Sequence, residues 1–359
     1  MATLAPVTAP APSSDQSTSP TTDPRRELGA ALRRWAAGGA GSIGVVRVLD
    51  RHGFGTVESG QLLAGTPSGE TAGLLYLGAF DDSAVPLVGA AAALPQTRAA
   101  HVAESAALQA GLACAGGATL LGHPLPAALA EALGAALEEA RPAALISTVD
   151  GEAALVLTGP DLEDVHGTLE DGTPGLDAGA VQAARELLRR GATVTDRRTV
   201  GDTEILLDLW VPVPSVLVVG AGAIGEALLA QAALLGWAGR TVTDLDEARA
   251  AVQAFTEADV LVLLDHAPRF DAMLIDGLHR GRGFLGALGS RRTQAARRER
   301  LLRAGVTEEE LSRIHGPVGL DLGARTPAET AVSIVAEVIG ARSGRAARAL
   351  GASEGKIGG

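Results

Sequence analysis

The chain has 359 residues, which is enough for two ordinary domains with separate cores. Its formal net charge of −12 argues against a nucleic-acid partner, because proteins that bind phosphate backbones carry basic stripes. Hydrophobic residues make up 47% of the chain and aromatic residues only 3%, so the apolar content is mostly Ala, Leu and Val, which suits layers of helices and strands.

The cysteine content and the N-terminus favour a cytoplasmic protein. A single cysteine, Cys114, excludes an internal disulfide framework and fits a reducing compartment. The N-terminus lacks the basic region and apolar core of a signal peptide. Residues 105–130 carry no Asp, Glu, Lys or Arg, but their glycines and prolines argue against a continuous membrane-spanning helix. We therefore expect no membrane association.

The N-terminal half reads as a disordered tail followed by an α+β domain. Residues 1–24 are mostly Ala, Pro, Ser and Thr, which cannot bury enough surface to offset the entropy of ordering. An α+β domain is predicted over residues 25–212, although the pattern does not define its topology. Helices are predicted at 25–37, 99–110, 126–140 and 181–190, and strands at 42–49, 61–64, 73–76, 118–121, 143–149, 153–157, 193–196 and 203–209.

The pattern changes after the alternating prolines Pro212 and Pro214, which favour an extended linker. Beyond them strands and helices alternate, as in a parallel sheet. We therefore predict an α/β fold, with a Rossmann-like parallel sheet covered by helices on both faces at residues 213–342, preceded by a smaller α+β domain. Residues 343–359 are rich in glycine and basic residues, which predicts a flexible tail.

A glycine loop opens the predicted Rossmann domain. The apolar run 215–219 is typical of a buried strand, and Gly220, Gly222 and Gly225 follow in the GxGxxG spacing. In this motif the glycines permit a tight turn, approach of a pyrophosphate, and close packing of helix on strand. The helix that begins around Ala223 would offer free N–H groups to the phosphates. The alternative is a tight turn without a ligand.

Polar residues follow the next two predicted strands. A strand at 240–243 ends at Asp244, close to the ~20-residue spacing of a carboxylate that binds an unphosphorylated ribose. A strand at 260–264 ends at Asp265 and His266, which should lie near the ligand crevice. His266 is a candidate acid or base, or it caps the following turn. No cluster of residues has metal-ligand spacing, so no metal site is predicted.

Two longer motifs carry a family resemblance. They read FLGALGSRR at residues 284–292 and IHGPVGLDLGARTPAE at residues 314–329. Together with the glycine loop, over about 130 residues, they resemble the xanthine dehydrogenase accessory factor family (XdhC/CoxI). The family resemblance implies a cytosolic maturation factor for a molybdenum hydroxylase of the xanthine dehydrogenase or CO dehydrogenase type.

The resemblance also implies a cofactor and partners. Such factors bind molybdenum cofactor, a phosphorylated molybdopterin that in bacteria often carries an added nucleotide. They assist the exchange of its terminal oxo ligand for sulfur by a cysteine desulfurase, and they deliver it to the apo-enzyme. A homodimer is implied as well.

The GSRR turn offers phosphate-binding groups. Gly289, Ser290 and Arg291 would contact a phosphate through backbone N–H groups, a hydroxyl and a guanidinium. The alternative for the arginines is a solvated helix face. The later arginines are predicted to be surface charge or a partner contact: Arg297, Arg298, Arg300 and Arg303. Thr326 and Pro327 favour a structural role as helix N-cap and first helical residue.

The N-terminal half departs from the family pattern. Gly111–Gly117 matches the family's "GLTCGG" segment and places Cys114 there as a candidate catalytic residue, but the family's earlier cysteine has no counterpart at residues 69–76. Cys114 is either a thiolate that holds a soft metal or a small buried core residue.

Two other functions compete with the carrier. The glycine loop and Asp244 also suit an NAD-dependent oxidoreductase, and the divergent N-terminal half suits a regulatory or scaffold protein. Hydride transfer needs a positioned acid–base and a substrate anchor, and His266 is the single candidate for these. The sequence therefore favours a non-catalytic accessory factor.

Overall fold

The computed structural model of the protein describes residues 24–52, 60–109, 115–170 and 174–352. Cys114, residues 1–23 of the predicted N-terminal tail and residues 353–359 of the predicted C-terminal tail lie outside the described residues. Within the described part, no helix has both the length and the apolar character needed to cross a membrane.

The first part of the chain forms a five-stranded antiparallel sheet, sheet A, with the strand order β3-β2-β1-β5-β4. Its elements in chain order are α1 (Pro24–Ala37), β1 (Ser42–His52), β2 (Leu63–Gly65), β3 (Thr71–Gly73), α2 (Asp81–Ala91), β4 (Gln96–Val102), α3 (Glu104–Gln109) and β5 (Gly116–Pro126).

A second five-stranded antiparallel sheet, sheet B, follows with the order β8-β7-β6-β10-β9. Its elements are α4 (Ala127–Glu138), β6 (Ala143–Thr148), β7 (Ala154–Thr158), β8 (Asp164–Thr168), α5 (Leu176–Leu188), β9 (Val194–Val200) and β10 (Thr203–Trp210).

The two sheets repeat one topology. In each, a helix leads into three strands, a second helix follows the third strand, and two more strands complete the sheet, with the first and fifth strands paired at its centre. Val45 pairs with His123 in sheet A, and Leu145 pairs with Asp208 in sheet B. The N-terminal half therefore consists of two units with the same strand order.

The units share a core at their leading helices. A Cβ added to Gly29 of α1 would lie 2.6 Å from the carbonyl oxygen of Gly134 in α4, so the two helices approach more closely than larger residues would permit. One apolar cluster joins α1, α4 and both sheets, and includes Leu32, Leu133 and Trp210. Burial of this continuous apolar surface is what holds the units against each other.

A buried arginine also ties sheet A to sheet B. Arg47 of β1 is fully buried, and its Nε donates to Asp208 Oδ2 of β10 at 2.6 Å. The same guanidinium donates to Ser147 Oγ at 2.8 Å and to the carbonyl oxygens of Leu145 and Leu206 at 3.0 Å each. A buried charge is tolerated when it is paired and its remaining donors are satisfied, and these contacts meet both conditions.

Thr195 and His123 also belong to the buried polar network around Arg47 and Asp208. Thr195 Oγ1 donates to Asp208 Oδ1 at 2.5 Å, so both carboxylate oxygens have partners. His123 Nε2 lies 3.5 Å from the Arg47 guanidinium. Burial and the nearby positive charge of Arg47 lower the pKa of His123 to about 3, so its imidazole is neutral at physiological pH.

The prediction of a helix at residues 99–110 was wrong for its first part and is confirmed over residues 104–109. Residues 96–102 form β4, which pairs with β5 along its whole length, and the short helix α3 starts at Glu104. Alanines there favour a helix, but pairing with a long central strand overrides a weak local preference. The sequence pattern also missed α2 and β8.

The third part of the chain forms a five-stranded parallel sheet, sheet C, with the order β12-β11-β13-β14-β15. Its elements are β11 (Ser215–Val219), α6 (Ala223–Leu234), β12 (Ala238–Val242), α7 (Leu245–Gln253), β13 (Val260–Leu263), α8 (Asp271–Arg280), β14 (Phe284–Ala287), α9 (Arg291–Arg303), α10 (Glu308–Leu311), β15 (Ile314–His315) and α11 (Pro327–Ser343).

Helices cover both faces of sheet C. On one face Leu217 and Leu263 pack in a cluster with residues of α7, α8 and α9, including Met273. On the other face Val218 packs in a cluster with residues of α6 and α11, including Ile334. Successive side chains of a strand point to opposite faces, so each apolar strand is buried on both sides. The predicted α/β fold with a Rossmann-like C-terminal sheet is confirmed.

Replacement of Arg47 by Met should destabilise the protein by about 3–5 kcal/mol, because it leaves Asp208 buried without its charge partner. Arg197→Ala is the control. Arg197 pairs with Asp50 and Glu204 near the surface, where such pairs contribute about 1 kcal/mol or less. Urea unfolding followed by circular dichroism measures both free energies. Equal losses in the two variants would contradict a buried-charge role for Arg47.

Candidate functional site at the carboxyl edge of sheet C

The glycine loop lies where the strand order of sheet C reverses. β11 sits between β12 and β13, so the chain runs outward in opposite directions from β11. In open α/β sheets, ligands bind in the crevice beyond the carboxyl ends of the strands at this reversal. The loop 220–225 leaves the carboxyl end of β11 and enters α6.

The three glycines of the loop differ in their backbone conformation and in the space around them. Gly220 has φ of 114°, and a Cβ there would lie 2.9 Å from the backbone nitrogen of Asp265. Gly222 has φ of 130°, and a Cβ there would meet no atom within 4 Å, so its outer side is open. A Cβ on Gly225 would lie 3.1 Å from Val218, where α6 packs on the sheet. The turn is thus tight toward β13 and open above α6, with Ala223 as the first helical residue.

The acidic residues predicted for the site lie at the same edge. Asp244 follows β12, is exposed, and accepts the backbone N–H of Glu247 at 2.9 Å as the N-cap of α7. Asp265 follows β13, and its Oδ1 accepts the N–H of Ala267 at 2.8 Å. His266 is exposed beside it. Asp244 and Asp265 therefore shape the loops after their strands in addition to facing the crevice edge.

The GSRR turn contributes a second helix N-terminus. Gly289 has φ of 139°, and Ser290 follows it as the N-cap of α9, accepting the N–H of Thr293 at 3.2 Å. Ser290 and Arg291 are both exposed. A serine cap on an exposed helix start, next to a guanidinium, is an arrangement that accepts anions.

Arg297 lies beneath this edge, and the prediction that it is surface charge was wrong. Its side chain is 1% exposed and its Nε donates to Asp271 Oδ1 at 3.0 Å. It also donates to the carbonyl oxygens of Asp265 at 3.2 Å and Leu288 at 3.3 Å, which lie just beyond β13 and β14. Arg300 shares the partner, donating to Asp271 Oδ2 at 2.5 Å. Arg297 thus fixes the loops that end two strands.

The structural role predicted for Thr326 and Pro327 is confirmed. Thr326 caps α11 by accepting the N–H of Glu329 at 3.1 Å, while the Glu329 carboxylate accepts the Thr326 N–H at 2.9 Å. Backbone N–H groups of Arg325 and Thr326 lower the pKa of Glu329 below its ordinary value.

A histidine–glutamate pair near this edge was missed by sequence reasoning. His315 Nδ1 lies 2.8 Å from Glu337 Oε1, and the imidazole stacks on Phe284 with ring centroids 4.1 Å apart. Glu337 Oε2 accepts the N–H of Gly319. This pair joins β15 to α11 and so fixes the segment between them. No local pattern relates positions so far apart in the chain.

The described residues contain no group of three or more His, Cys, Asp or Glu side chains that could hold a metal ion. Besides the Asp244 and Asp265 carboxylates, which accept backbone N–H groups of their own loops, the carboxyl edge carries backbone N–H donors, a serine hydroxyl and an arginine. Their chemistry suits an anion.

This fold and edge define a Rossmann-type domain whose carboxyl edge exposes two helix N-termini, a serine hydroxyl and an arginine. Residues 216–338 match the family described as the XdhC Rossmann domain. The resemblance drawn from the motifs is therefore confirmed over the C-terminal Rossmann domain.

Two curated proteins of Escherichia coli (strain K12) are similar in sequence. One is the molybdenum cofactor insertion chaperone PaoD, 32% identical over 132 residues, which are 36% of this chain and 41% of PaoD. The other is the uncharacterized protein YqeB, 28% identical over 172 residues, which are 43% of this chain and 32% of YqeB. The chain thus spans less than half the length of these relatives.

A solved structure resembles nearly the whole chain. It is a protein from Bacillus halodurans described as a xanthine dehydrogenase, matched with a TM-score of 0.51 and 17% sequence identity. The match covers 90% of this chain and 98% of the other. At that identity the likeness concerns the fold alone.

The Glu337 contacts make the stability of this edge depend on pH. Burial alone would raise the pKa of Glu337, but hydrogen bonds from His315 and Gly319 outweigh it and the pKa lies below its ordinary value. The contribution is therefore present at neutral pH and is lost as the pH falls through the folded-state pKa.

Glu337→Gln should thus lower the free energy of unfolding by about 1 kcal/mol at pH 7 and by progressively less below about pH 5. Urea unfolding of parent and variant across this range measures the difference. Glu299→Gln, at an exposed position of α9, should show no such pH dependence. A Glu337→Gln deficit that stays constant down to pH 3 would contradict the assignment.

Proposed function

We propose that this protein binds molybdenum cofactor and assists its insertion into a molybdenum hydroxylase of the xanthine dehydrogenase or CO dehydrogenase type. The observation that carries the proposal is the convergence of the open glycine loop and the Ser290–Arg291 turn on one edge of an XdhC Rossmann domain. The similarity to PaoD, a molybdenum cofactor insertion chaperone, supports it.

The donor set at this edge fits the phosphate end of such a cofactor. The open side of Gly222 lets a phosphate approach the first N–H groups of α6. Ser290 and Arg291 would hold a second anionic group, and Asp244 would accept hydroxyls of a ribose where the cofactor carries a nucleotide. The bound group would supply the molybdenum chemistry of the client enzyme, while these residues would bind and orient it.

The carrier would have two kinds of partner, and its two halves would have different roles. The partners would be the apo form of the hydroxylase and a cysteine desulfurase that sulfurates the cofactor, and the carrier would act as a cytoplasmic homodimer. We infer a domain boundary near residue 213, where the antiparallel sheets give way to sheet C. The Rossmann domain would bind the cofactor, and the N-terminal half, which includes Cys114, would act on it or contact the client.

Gly222→Asp should abolish retention of the cofactor, because it places a carboxylate where the phosphate would approach. Gly236→Asp is the matched control, since Gly236 also has positive φ and open space but lies at the far end of α6. Each protein is purified after co-expression with the cofactor pathway and analysed by mass spectrometry and for molybdenum. We expect near-stoichiometric molybdopterin in the parent and Gly236→Asp, and at least a tenfold loss in Gly222→Asp.

A parent protein free of molybdopterin would contradict the proposal. Retention of NAD(H) with a substrate-dependent change in nicotinamide absorbance would instead establish the oxidoreductase. The exposed Asp244 and His266 are the residues that such an enzyme would use.

Cys114→Ala distinguishes an active carrier from a scaffold. If Cys114 handles the cofactor, the variant should mature the client hydroxylase at least tenfold less well while still binding it. The measurements are hydroxylase activity after co-expression and co-purification of the two proteins. Full maturation by Cys114→Ala would favour a scaffold that has lost cofactor chemistry in its N-terminal half.

A further inference from the structure

A groove separate from the glycine loop lies between α9 and α10, beside the edge strand β15. It encloses about 460 Å³, within the size range of small-molecule sites. Its long wall is the face of α9 that runs from Arg291 to Leu301, about 15 Å at the helical rise per residue. The groove therefore starts at the GSRR turn and extends away from the carboxyl edge.

Part of the lining of the groove is apolar. Ala295 of α9, Leu311 of α10 and Ile314 of β15 line it, and Gly316 contributes backbone without a side chain. Such a surface offers a planar ring close contact over one face.

The lining of the groove also includes charged side chains. Arg298 lines it but pairs with Glu308 across the groove, and Arg297 is committed to Asp271. Arg291 lies at the end nearest Ser290, exposed, and it is the lining guanidinium to which no carboxylate of the described residues is paired. A guanidinium binds phosphate through two parallel N–H donors, so this end of the groove suits a phosphate.

We propose that this groove binds a planar heteroaromatic group that carries a phosphate, with the phosphate at Arg291 and the ring on Ala295, Leu311 and Ile314. The inference deepens the proposed function and rests on it, because a cofactor carrier must hold a ring as well as phosphates. The glycine loop would hold one anionic part of the ligand and the groove another. A mononucleotide-sized ligand matches the volume, whereas an acidic peptide would extend beyond both ends.

Flavin mononucleotide is a suitable probe, because it joins a planar heteroaromatic ring to one phosphate and is fluorescent. Titration of the full chain should show saturable binding by fluorescence anisotropy. Riboflavin, which lacks the phosphate, should bind at least tenfold more weakly. Arg291→Ala should weaken binding of flavin mononucleotide at least tenfold, and Arg292→Ala, the neighbouring exposed arginine outside the groove, should change it less than twofold.

Ala295→Trp tests the groove itself, because it fills the groove from an exposed helix position. It should weaken the probe at least tenfold with an unchanged circular dichroism spectrum. Ser312→Phe, from the opposite wall, provides the same test if Ala295→Trp fails to fold. Unchanged affinity in the folded variant would overturn the inference, as would equal binding of riboflavin, or an acidic peptide that displaces the probe with higher affinity.

Gly222→Asp separates this inference from the proposed function. Loss of the probe in Gly222→Asp, with full binding by Ala295→Trp, would place the ring at the glycine loop and overturn the groove alone. Probe binding that is sensitive to Ala295→Trp, in a protein that never retains molybdopterin, would support the groove and contradict the cofactor.

Discussion

The conformation of the carboxyl edge of sheet C depends on the contacts of the Arg297 guanidinium. This guanidinium lies buried near the middle of α9, where it pairs with Asp271 and donates to the carbonyl oxygens of Asp265 and Leu288, just beyond two strands of the sheet. Free carbonyl groups in that position would otherwise require water or a ligand to satisfy them. Because one rigid planar group serves both strand ends and the carboxylate, the loops after β13 and β14 have little freedom to move independently. The crevice edge is thus held in place before any ligand arrives.

Buried and exposed groups at this edge have different roles. Inner groups such as Arg297 and Glu337 hold strands and helices together, while the outer groups, the Gly222 loop, Ser290 and Arg291, remain open to solvent. The proposed accessory factor would have to release its cargo as well as bind it, and exposed N–H groups with one arginine would hold a phosphate without enclosing it. The similarity to PaoD, a molybdenum cofactor insertion chaperone, agrees with that proposal.

The sequence could predict those features whose physical cause is local. A buried strand followed by GxGxxG reveals its turn, and Asp244 and Ser290 occupy the strand ends and helix starts that the pattern indicates. Arg297 could not be predicted, because it stands among solvated arginines and its burial depends on Asp271 from another helix. The first part of the helix expected at 99–110 is a strand for a similar reason, since pairing with β5 decides its conformation. The repeated strand order of the N-terminal half could not be predicted either, because it lies in the pairing of distant strands and not in a local pattern.

That repeat has a consequence for how the N-terminal half folds. The charge of Arg47 comes from one unit and that of Asp208 from the other, and the leading helices α1 and α4 cover each other. A unit on its own would expose the apolar side of its helix and bury half of an ion pair. The two units should therefore form one cooperative folding unit, with no stable half-folded state between the native protein and the unfolded chain. Joining two units of one topology in this way yields an N-terminal half that is either completely assembled or unfolded, so a partly folded form of it would not accumulate.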